Sequence, residues 1–238
     1  MVSTLRKKKF LFILLLTAGF LAVISIGLHF LINARSMQMA GNIVTHAETD
    51  LKKIALTFDD GPSEYTSEIL AMLDDLNVKC TFFLTGEAIE NNMDAAKQIV
   101  AAGHQIGNHS YSHERMIFRS VQWIADEIDR TNELIRETGY EGTIYFRPPY
   151  CKKLLLLPIA LAQRDMTTAT WSVEITNSDN YEEIADAIMR QAKPGDIILM
   201  HIMYDSGKQE RKAIPVMIQS LCEQGYDFVT LDQLFVES

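Results

Sequence analysis

Short apolar runs alternate with amphipathic segments from residue 51 to the C-terminus. Runs rich in β-branched and aromatic side chains predict strands, and apolar residues at helical spacing predict the helices between them. The predicted strands are 54–58, 80–84, 104–107, 143–146, 166–171, 196–201 and 228–230. The predicted helices are 66–76, 93–102, 120–137, 181–192 and 212–224. This alternation predicts a mainly parallel sheet, doubly wound or closed, and the number of strands favours an irregular (β/α) barrel.

One apolar run near the N-terminus is long enough to cross a membrane. Residues 10–32 carry no charge, and as a helix they would span the roughly 30 Å hydrocarbon layer. The basic residues 6–9 precede this run and are expected to stay cytoplasmic. We therefore expect a cytoplasmic tail at 1–9, a single transmembrane anchor at 10–32, a stalk at 33–50 and an extracytoplasmic domain at 51–238. A cleaved signal peptide is the alternative, although its apolar region is usually only about 7–15 residues long.

Composition and charge limit the partners of the outer domain. Of 238 residues 47% are hydrophobic, which suits one globular domain with a substantial core. Residues 48–238 carry 17 basic and 31 acidic side chains, a formal charge of −14, because the first 47 residues hold five basic and no acidic ones. Such a domain disfavours nucleic acid as a partner. Cys80, Cys151 and Cys222 form no CxxC pair and predict neither a disulfide framework nor a thiolate zinc site.

Polar residues with catalytic potential follow several of the predicted strands. They are 59–62 after the first strand, 109–113 after the third, 147–150 after the fourth and His201 at the end of the sixth. The carboxyl ends of parallel strands meet at one face, which is where α/β proteins carry their active sites. These segments are therefore expected to form one site.

His109 and His113 have the spacing of a metal-binding pair. On one turn of helix, side chains at i and i+4 project from the same side and can share a metal. A carboxylate from Asp59 or Asp60 would complete three ligands and leave positions open for water and substrate. Because adjacent residues point in different directions, we expect one Asp to bind the metal and its neighbour to take a proton from water.

These segments resemble the motifs of the polysaccharide deacetylases, the carbohydrate esterases of the NodB-homology type (carbohydrate esterase family 4). The resemblance extends over about residues 54–234. Thr-Phe-Asp-Asp-Gly-Pro at 57–62 is similar to the family's first motif, and His-Ser-Tyr-Ser-His at 109–113 to the second. The segments 147–150 and 199–201 are similar to the third and the fifth. The resemblance implies a distorted (β/α) barrel, usually of seven strands.

The resemblance also assigns the metal ligands and the base. It implies that Asp60, His109 and His113 hold one divalent metal ion, with zinc expected first and cobalt, nickel or manganese as alternatives. It implies that Asp59 is the general base.

The third and fifth motifs supply the remaining implied roles. Arg147 would fix the base, and the backbone N–H of Tyr150 would stabilise the oxyanion. Leu199 would line the pocket for the acetyl methyl group, and His201 would protonate the departing amine.

The chain departs from the family pattern at two positions. Cys151 stands where the family usually has Gly, which often indicates a positive φ or a close ligand. The fourth motif normally provides an Asp, and here either Glu174 or Asp179 could serve.

The function implied is hydrolysis of N-acetyl groups on a cell-surface glycan, with acetate released. An anchored, outward-facing domain meets wall polymers, so N-acetylglucosamine of peptidoglycan is expected first and a chitooligosaccharide or another glycan second. Two rivals stay open: a catalytically impaired wall-binding module, and a non-haem iron oxygenase, which also uses two His and one carboxylate.

Overall fold

The computed structural model describes residues 2–175 and 178–236. Met1, in the predicted tail, and residues 237–238, at the end of the predicted domain, lie outside the described residues. The helices are α1 (Val2–Asn33), α2 (Thr66–Asp75), α3 (Gly86–Asn91), α4 (Met93–Ala101), α5 (Val121–Glu137), α6 (Leu156–Ala162), α7 (Tyr181–Gln191), α8 (Lys208–Glu223) and α9 (Leu231–Val236). The strands are β1 (Ile43–Val44), β2 (Lys53–Gly61), β3 (Thr81–Leu84), β4 (Gln105–Asn108), β5 (Thr168–Ala169), β6 (Val173–Glu174), β7 (Ile197–Met200) and β8 (Asp227–Val229).

Strand β2 lies at the centre of a parallel sheet with the order β4-β3-β2-β7-β6, and β8 pairs with its first residues. Beyond β4, the Asn108 N–H donates to the Tyr145 carbonyl at 2.8 Å, and the Ala169 N–H donates to the Phe146 carbonyl at 2.8 Å. The chain then crosses to β7, where the Ser172 N–H donates to a β7 carbonyl at 3.0 Å. The hydrogen bonds, together with the chain between Ala169 and Ser172, therefore lead back to β7, in agreement with the expected distorted (β/α) barrel.

Alternating residues of β2 face two different cores. Phe58 and its neighbours two residues apart pack outward with β3 and the surrounding helices, and they are fully buried. Each such side chain contributes about 1.5–3 kcal/mol of burial free energy. Ala55 faces the barrel interior with Phe83 and Leu199. Thr57 and Asp59 follow Ala55 at the same period, so the strand pattern carries a carboxylate to the interior.

The N-terminal helix and the segment after it differ in their contacts. The stretch Lys9–Asn33 of α1 is long and apolar enough to cross a membrane, and a signal sequence would meet the same criterion. In the predicted stalk at 33–50, β1 pairs in parallel with β5, and Ala47 is only 3% exposed. The contacts of the domain therefore begin before Leu51. A two-residue strand is too short to show a period in the sequence.

Candidate metal centre and catalytic cleft

Three predicted ligands converge at the carboxyl ends of β2 and β4. The ligand atoms of Asp60, His109 and His113 lie within 4.8 Å of one another. The Oδ1 atom of Asp60 is 3.1 Å from His113 Nε2 and 3.5 Å from His109 Nε2. Neither contact has hydrogen-bond geometry. Asp60 Oδ1 is therefore a buried acceptor with no hydrogen-bond partner among the described residues. Two imidazoles and a carboxylate facing one point match the donor set of a catalytic divalent metal.

The surroundings of both histidines suit metal binding. His109 is buried, and its Nδ1 lies 2.6 Å from the Arg147 carbonyl oxygen, an acceptor that assigns the proton to Nδ1. In the neutral tautomer that this contact favours, the lone pair is on Nε2, which lies 3.5 Å from Asp60 Oδ1. Burial, and then the nearby His109 ring, lower the pKa of His113 and favour its neutral form. A neutral imidazole is the form that binds a metal.

The histidine pair is not on a helical turn, so that part of the prediction is wrong. Residues 109–113 form a loop in which Ser110 and His113 have φ of 65° and 56°. The Asn108 Oδ1 atom accepts the Ser110 N–H at 2.8 Å, and the Ser110 hydroxyl accepts the His113 N–H at 3.1 Å. These local bonds offer the backbone an alternative to the helix, as Asn and Ser side chains commonly do.

A buried carboxylate from α5 completes this loop. Glu127, 7% exposed, accepts the backbone N–H groups of Tyr111 and Ser112, each at 2.9 Å. Glu127 has no part in the motif resemblance, and its position in an amphipathic helix predicts only an ordinary helical residue. Its role depends on the packing of α5 against the loop.

Asp59 forms a buried ion pair with Arg147. Their side chains are 4% and 0% exposed, and Arg147 Nη1 lies 2.7 Å from Asp59 Oδ1. The same Nη1 also donates to Thr57 Oγ1 at 2.8 Å. The rest of the guanidinium donates to the carbonyls of Ala169 and Thr170, each at 3.1 Å. Arg147 therefore holds one oxygen of Asp59 in a fixed place beneath the cleft.

Electrostatics keep Asp59 charged. Burial alone would raise the pKa of Asp59, but Arg147, followed by the rings of His109 and His201, outweighs burial and lowers that pKa. The Oδ2 atom of Asp59 lies 3.6 Å from His109 Nε2, beside the metal ligands. Asp59 is thus an ionised carboxylate next to the candidate metal position.

One cleft of about 640 Å³ joins the predicted site residues. Its lining includes Asp59, Asp60, His109, His113, Tyr150, Leu199 and His201. Arg147 lies below this surface with no exposure. All eight residues expected at the site are therefore close together, although they come from four separate segments of the chain.

Tyr150 and Cys151 form a tight turn at the cleft edge. Their φ angles are 56° and 57°, values that non-glycine residues rarely adopt. The Tyr150 ring lies 4.8 Å from the His113 ring. At Cys151 the chain keeps the positive φ that a Gly would favour. Burial raises the pKa of the Cys151 thiol, so this group is not an activated nucleophile.

His201 lies at the end of β7 and is supported by the start of α8. Its backbone N–H donates to Glu210 Oε2 at 2.6 Å. Gly207 makes this approach possible, because a Cβ at that position would overlap the His201 carbonyl oxygen. Neither Glu210 nor Gly207 belongs to a motif noted in the sequence.

The two candidates for the fourth motif lie in different surroundings. Glu174 lines the cleft, and its Oε2 accepts Trp171 Nε1 at 2.9 Å and contacts Arg35 Nη2 at 2.9 Å. Asp179 is exposed and does not line the cleft. Residues 176–177, which connect them, lie outside the described residues. Of the two carboxylates, Glu174 is the one at the site.

Comparison with known proteins identifies the family. Residues 46–169 match the family model described as polysaccharide deacetylase. The chain belongs to the polysaccharide deacetylase family. This membership agrees with the four motifs and gives no support to the oxygenase alternative.

Two curated relatives and one solved structure illustrate the similarity. The peptidoglycan-N-acetylglucosamine deacetylase PgdA of Listeria monocytogenes is 35% identical over 82% of this chain, which spans only 41% of that protein. The peptidoglycan-N-acetylmuramic acid deacetylase PdaA of Bacillus subtilis is 33% identical over 79% of this chain and 73% of its own length. BA3943 of Bacillus anthracis, described as a pseudoenzyme of the family, is 29% identical with a TM-score of 0.75, over 82% of this chain and 69% of that one.

Proposed function

We propose that this protein removes N-acetyl groups from a peptidoglycan glycan at the outer face of the membrane, with N-acetylglucosamine as the first candidate sugar. The observation that carries the proposal is the Asp59–Arg147 pair beside three converging metal ligands in a cleft that also contains His201. The reaction consumes one water and yields acetate and a sugar amine. Pure binding would need neither an ionised base nor a separate acid.

Asp60, His109 and His113 would hold the metal, and Asp59 would act on the water. When bound, a divalent ion such as zinc supplies Lewis-acid polarisation of the acyl oxygen and acidifies water. Asp59 accepts the proton of the attacking water, because Arg147 keeps it charged and oriented.

Residues on the other side of the cleft serve the acyl group and the amine. The backbone N–H of Tyr150, which lies in a turn of positive φ at the cleft, would donate to the oxygen that gains charge. Leu199, 2% exposed, packs against the acetyl methyl group. His201 donates the proton with which the sugar amine departs. Glu210 fixes the backbone from which His201 projects.

The rate should have a bell-shaped pH dependence, since Asp59 must be ionised and His201 protonated. The lowered pKa of Asp59 keeps this base charged below the usual Asp range, so its acidic limb lies at low pH. The measurement is kcat/KM for acetate release from strongly acid to alkaline pH, so that both limbs fall within the range. A flat profile in the wild type would contradict the two-group scheme.

Acetate release is the direct test of the function. The purified full chain is treated with a chelator, reloaded with zinc, cobalt, nickel or manganese, and assayed on peptidoglycan, chitooligosaccharide and acetylated xylan. We expect release from peptidoglycan that needs metal and falls about 100- to 10,000-fold in Asp59→Asn, the range for loss of a general base. Asp59→Asn activity equal to wild type would falsify the base assignment.

The impaired-module alternative has a specific basis, because a family pseudoenzyme has the same fold. Cys151 and Glu174 are also departures from the family pattern. If the metal-loaded wild type released no acetate from any glycan yet bound peptidoglycan, that alternative would replace the proposal. The anchor is tested separately: we expect the chain to fractionate with membranes, with the domain accessible to external protease.

A further inference from the structure

The cleft gathers positive charge on one side, although residues 48–238 have a formal charge of −14. Arg35, Arg115 and Lys152 line it together with the predicted site residues. The neighbouring groove shares Asp60 with this cleft but has no Arg or Lys among its described lining residues, and it carries Glu64 and Glu87 instead. The two sides of the metal centre therefore differ in charge.

Arg35 comes from the segment that directly follows α1. Its carbonyl accepts the Thr170 hydroxyl at 2.9 Å, and its guanidinium lies 4.8 Å from the centre of the Trp171 ring. Its side chain stays 47% exposed at the edge of the cleft, so several N–H donors remain available beyond the single contact with Glu174. Arg35 also lies outside the family-matched region 46–169.

The other two cations have neutral neighbours. Arg115 lies over the Tyr150 ring at 4.7 Å and faces no carboxylate at ion-pair distance among the described residues. Lys152 Nζ donates to the Asn33 side-chain oxygen, which leaves its charge uncompensated. Glu174 therefore offsets one of the three positive charges, while Asp59 is paired with Arg147 and Asp60 belongs to the candidate metal site. The other two cations face a cleft of about 640 Å³.

We propose that Arg35, Arg115 and Lys152 form a cationic rim that binds a carboxylate of the glycan beside the N-acetylated sugar. Guanidinium groups recognise carboxylates through parallel N–H donors, and Lys adds a point charge. The ligand class is thus an acetylated glycan whose neighbouring units carry carboxylates. The inference rests on the proposed deacetylase function and narrows it, because neutral chitooligosaccharides lack this group.

A matched pair of glycans tests the rim. One is a peptidoglycan oligosaccharide with its carboxylates free, and the other is the same oligosaccharide with those carboxylates reduced to alcohols. For the zinc-loaded full chain in detergent, we expect about fivefold higher kcat/KM on the free acid, chiefly through KM, as for a partly exposed charge pair. About 0.5 M salt should remove most of the preference, because it screens exposed charges.

Single substitutions then locate the effect. Arg35→Gln and Arg115→Gln should each lower kcat/KM severalfold on the free acid while leaving the reduced glycan unchanged. Arg35→Lys should keep part of the preference, because it retains the charge. Arg190→Gln is the matched control, since Arg190 is an exposed arginine on α7 that does not line the cleft. Equal losses on both glycans would indicate general damage and overturn the rim.

Direct binding separates this inference from the deacetylase proposal. The dissociation constant of each oligosaccharide is measured by calorimetry on Asp59→Asn, in which turnover is slow. About fivefold tighter binding of the free acid supports the rim even if the wild type releases no acetate, whereas equal binding of both glycans overturns it. Acetate release at equal rates from both glycans would leave the deacetylase intact and remove only the rim.

Discussion

The floor of the cleft and its rim are built in opposite ways. On the floor, Arg147 and Asp59 are almost fully buried, and every nitrogen of the guanidinium has an acceptor at 2.7–3.1 Å. On the rim, Arg35 is about half exposed and makes one ion-pair contact. Buried charges are costly unless they are paired, whereas exposed pairs contribute little. The floor therefore determines whether the site folds, and the rim changes which glycans the site prefers.

The largest effect should follow from uncoupling the floor. Arg147→Met keeps much of the side-chain volume but leaves Asp59 buried without its cation, so we expect about 3–5 kcal/mol lower unfolding free energy. Urea unfolding of the full chain in detergent measures it. Arg164→Met, which breaks the partly exposed pair with Asp129, should cost no more than about 1 kcal/mol. Similar losses in both variants would contradict the contrast.

Loss of a metal ligand should come next. His113→Gln removes an imidazole that lies 3.1 Å from Asp60 Oδ1, so zinc affinity should fall by about 100-fold or more, beyond the range known for residues that only support a ligand. Competition with a chromogenic chelator gives the affinity. His46→Gln is the control, because His46 is exposed and pairs with Glu48 at 2.8 Å. If His113→Gln kept the zinc affinity of the wild type, His113 would not be a ligand and the metal site would have to lie elsewhere.

A smaller, pH-dependent effect concerns Asp59 alone. Its folded pKa lies below the unfolded value of about 3.9, so its stabilising contribution is present above that value and is lost as pH falls through the folded pKa. We expect metal-free wild type to lose stability relative to Asp59→Asn as the pH drops below about 4. Urea unfolding at a series of pH values tests this. Parallel curves for the two proteins would argue against the lowered pKa.

The smallest effect is expected at the turn beside the rim. Cys151→Gly removes the backbone strain of a φ of 57°, but it also raises the conformational entropy of the unfolded chain. These two contributions to the unfolding free energy should nearly cancel, to within about 1 kcal/mol. Cys80→Gly has no such strain to relieve and opens space in a fully buried position, so it should cost more. Thermal unfolding compares them. An equal cost would mean that Cys151 is not strained.

The sequence predicts the features that depend on periodicity and on strand order. The apolar run of β7 and the amphipathic pattern of α5 appear within one residue of their predicted bounds, whereas β2 continues three residues past its predicted end. The clustering of 59–62, 109–113 and His201 follows because parallel strands end at one face. The predicted strand 143–146 is reduced to Phe146, which forms isolated parallel bridges to Asn108 and Thr168.

Other features depend on contacts between distant parts of the chain. The loop that replaces the expected helical turn needs Glu127, which is 15 residues from Ser112 in sequence. Arg35 contacts Glu174, which is 139 residues away in sequence, and no sequence motif predicts this pair. Glu210 supports His201 only because α8 begins at Lys208 and not at Lys212 as predicted. Local patterns carry no signal for such pairings.

Glu127 has a consequence for how the metal enters. Because its carboxylate accepts two N–H groups of the 109–113 loop, these hydrogen bonds hold the loop in shape without needing an ion. Binding then requires little ordering of the chain, so affinity reflects the bonds formed and is not reduced by the entropy of folding a loop. On the proposed function, we expect the protein to lose and regain its metal without unfolding, so that scarcity of the ion would limit its activity reversibly.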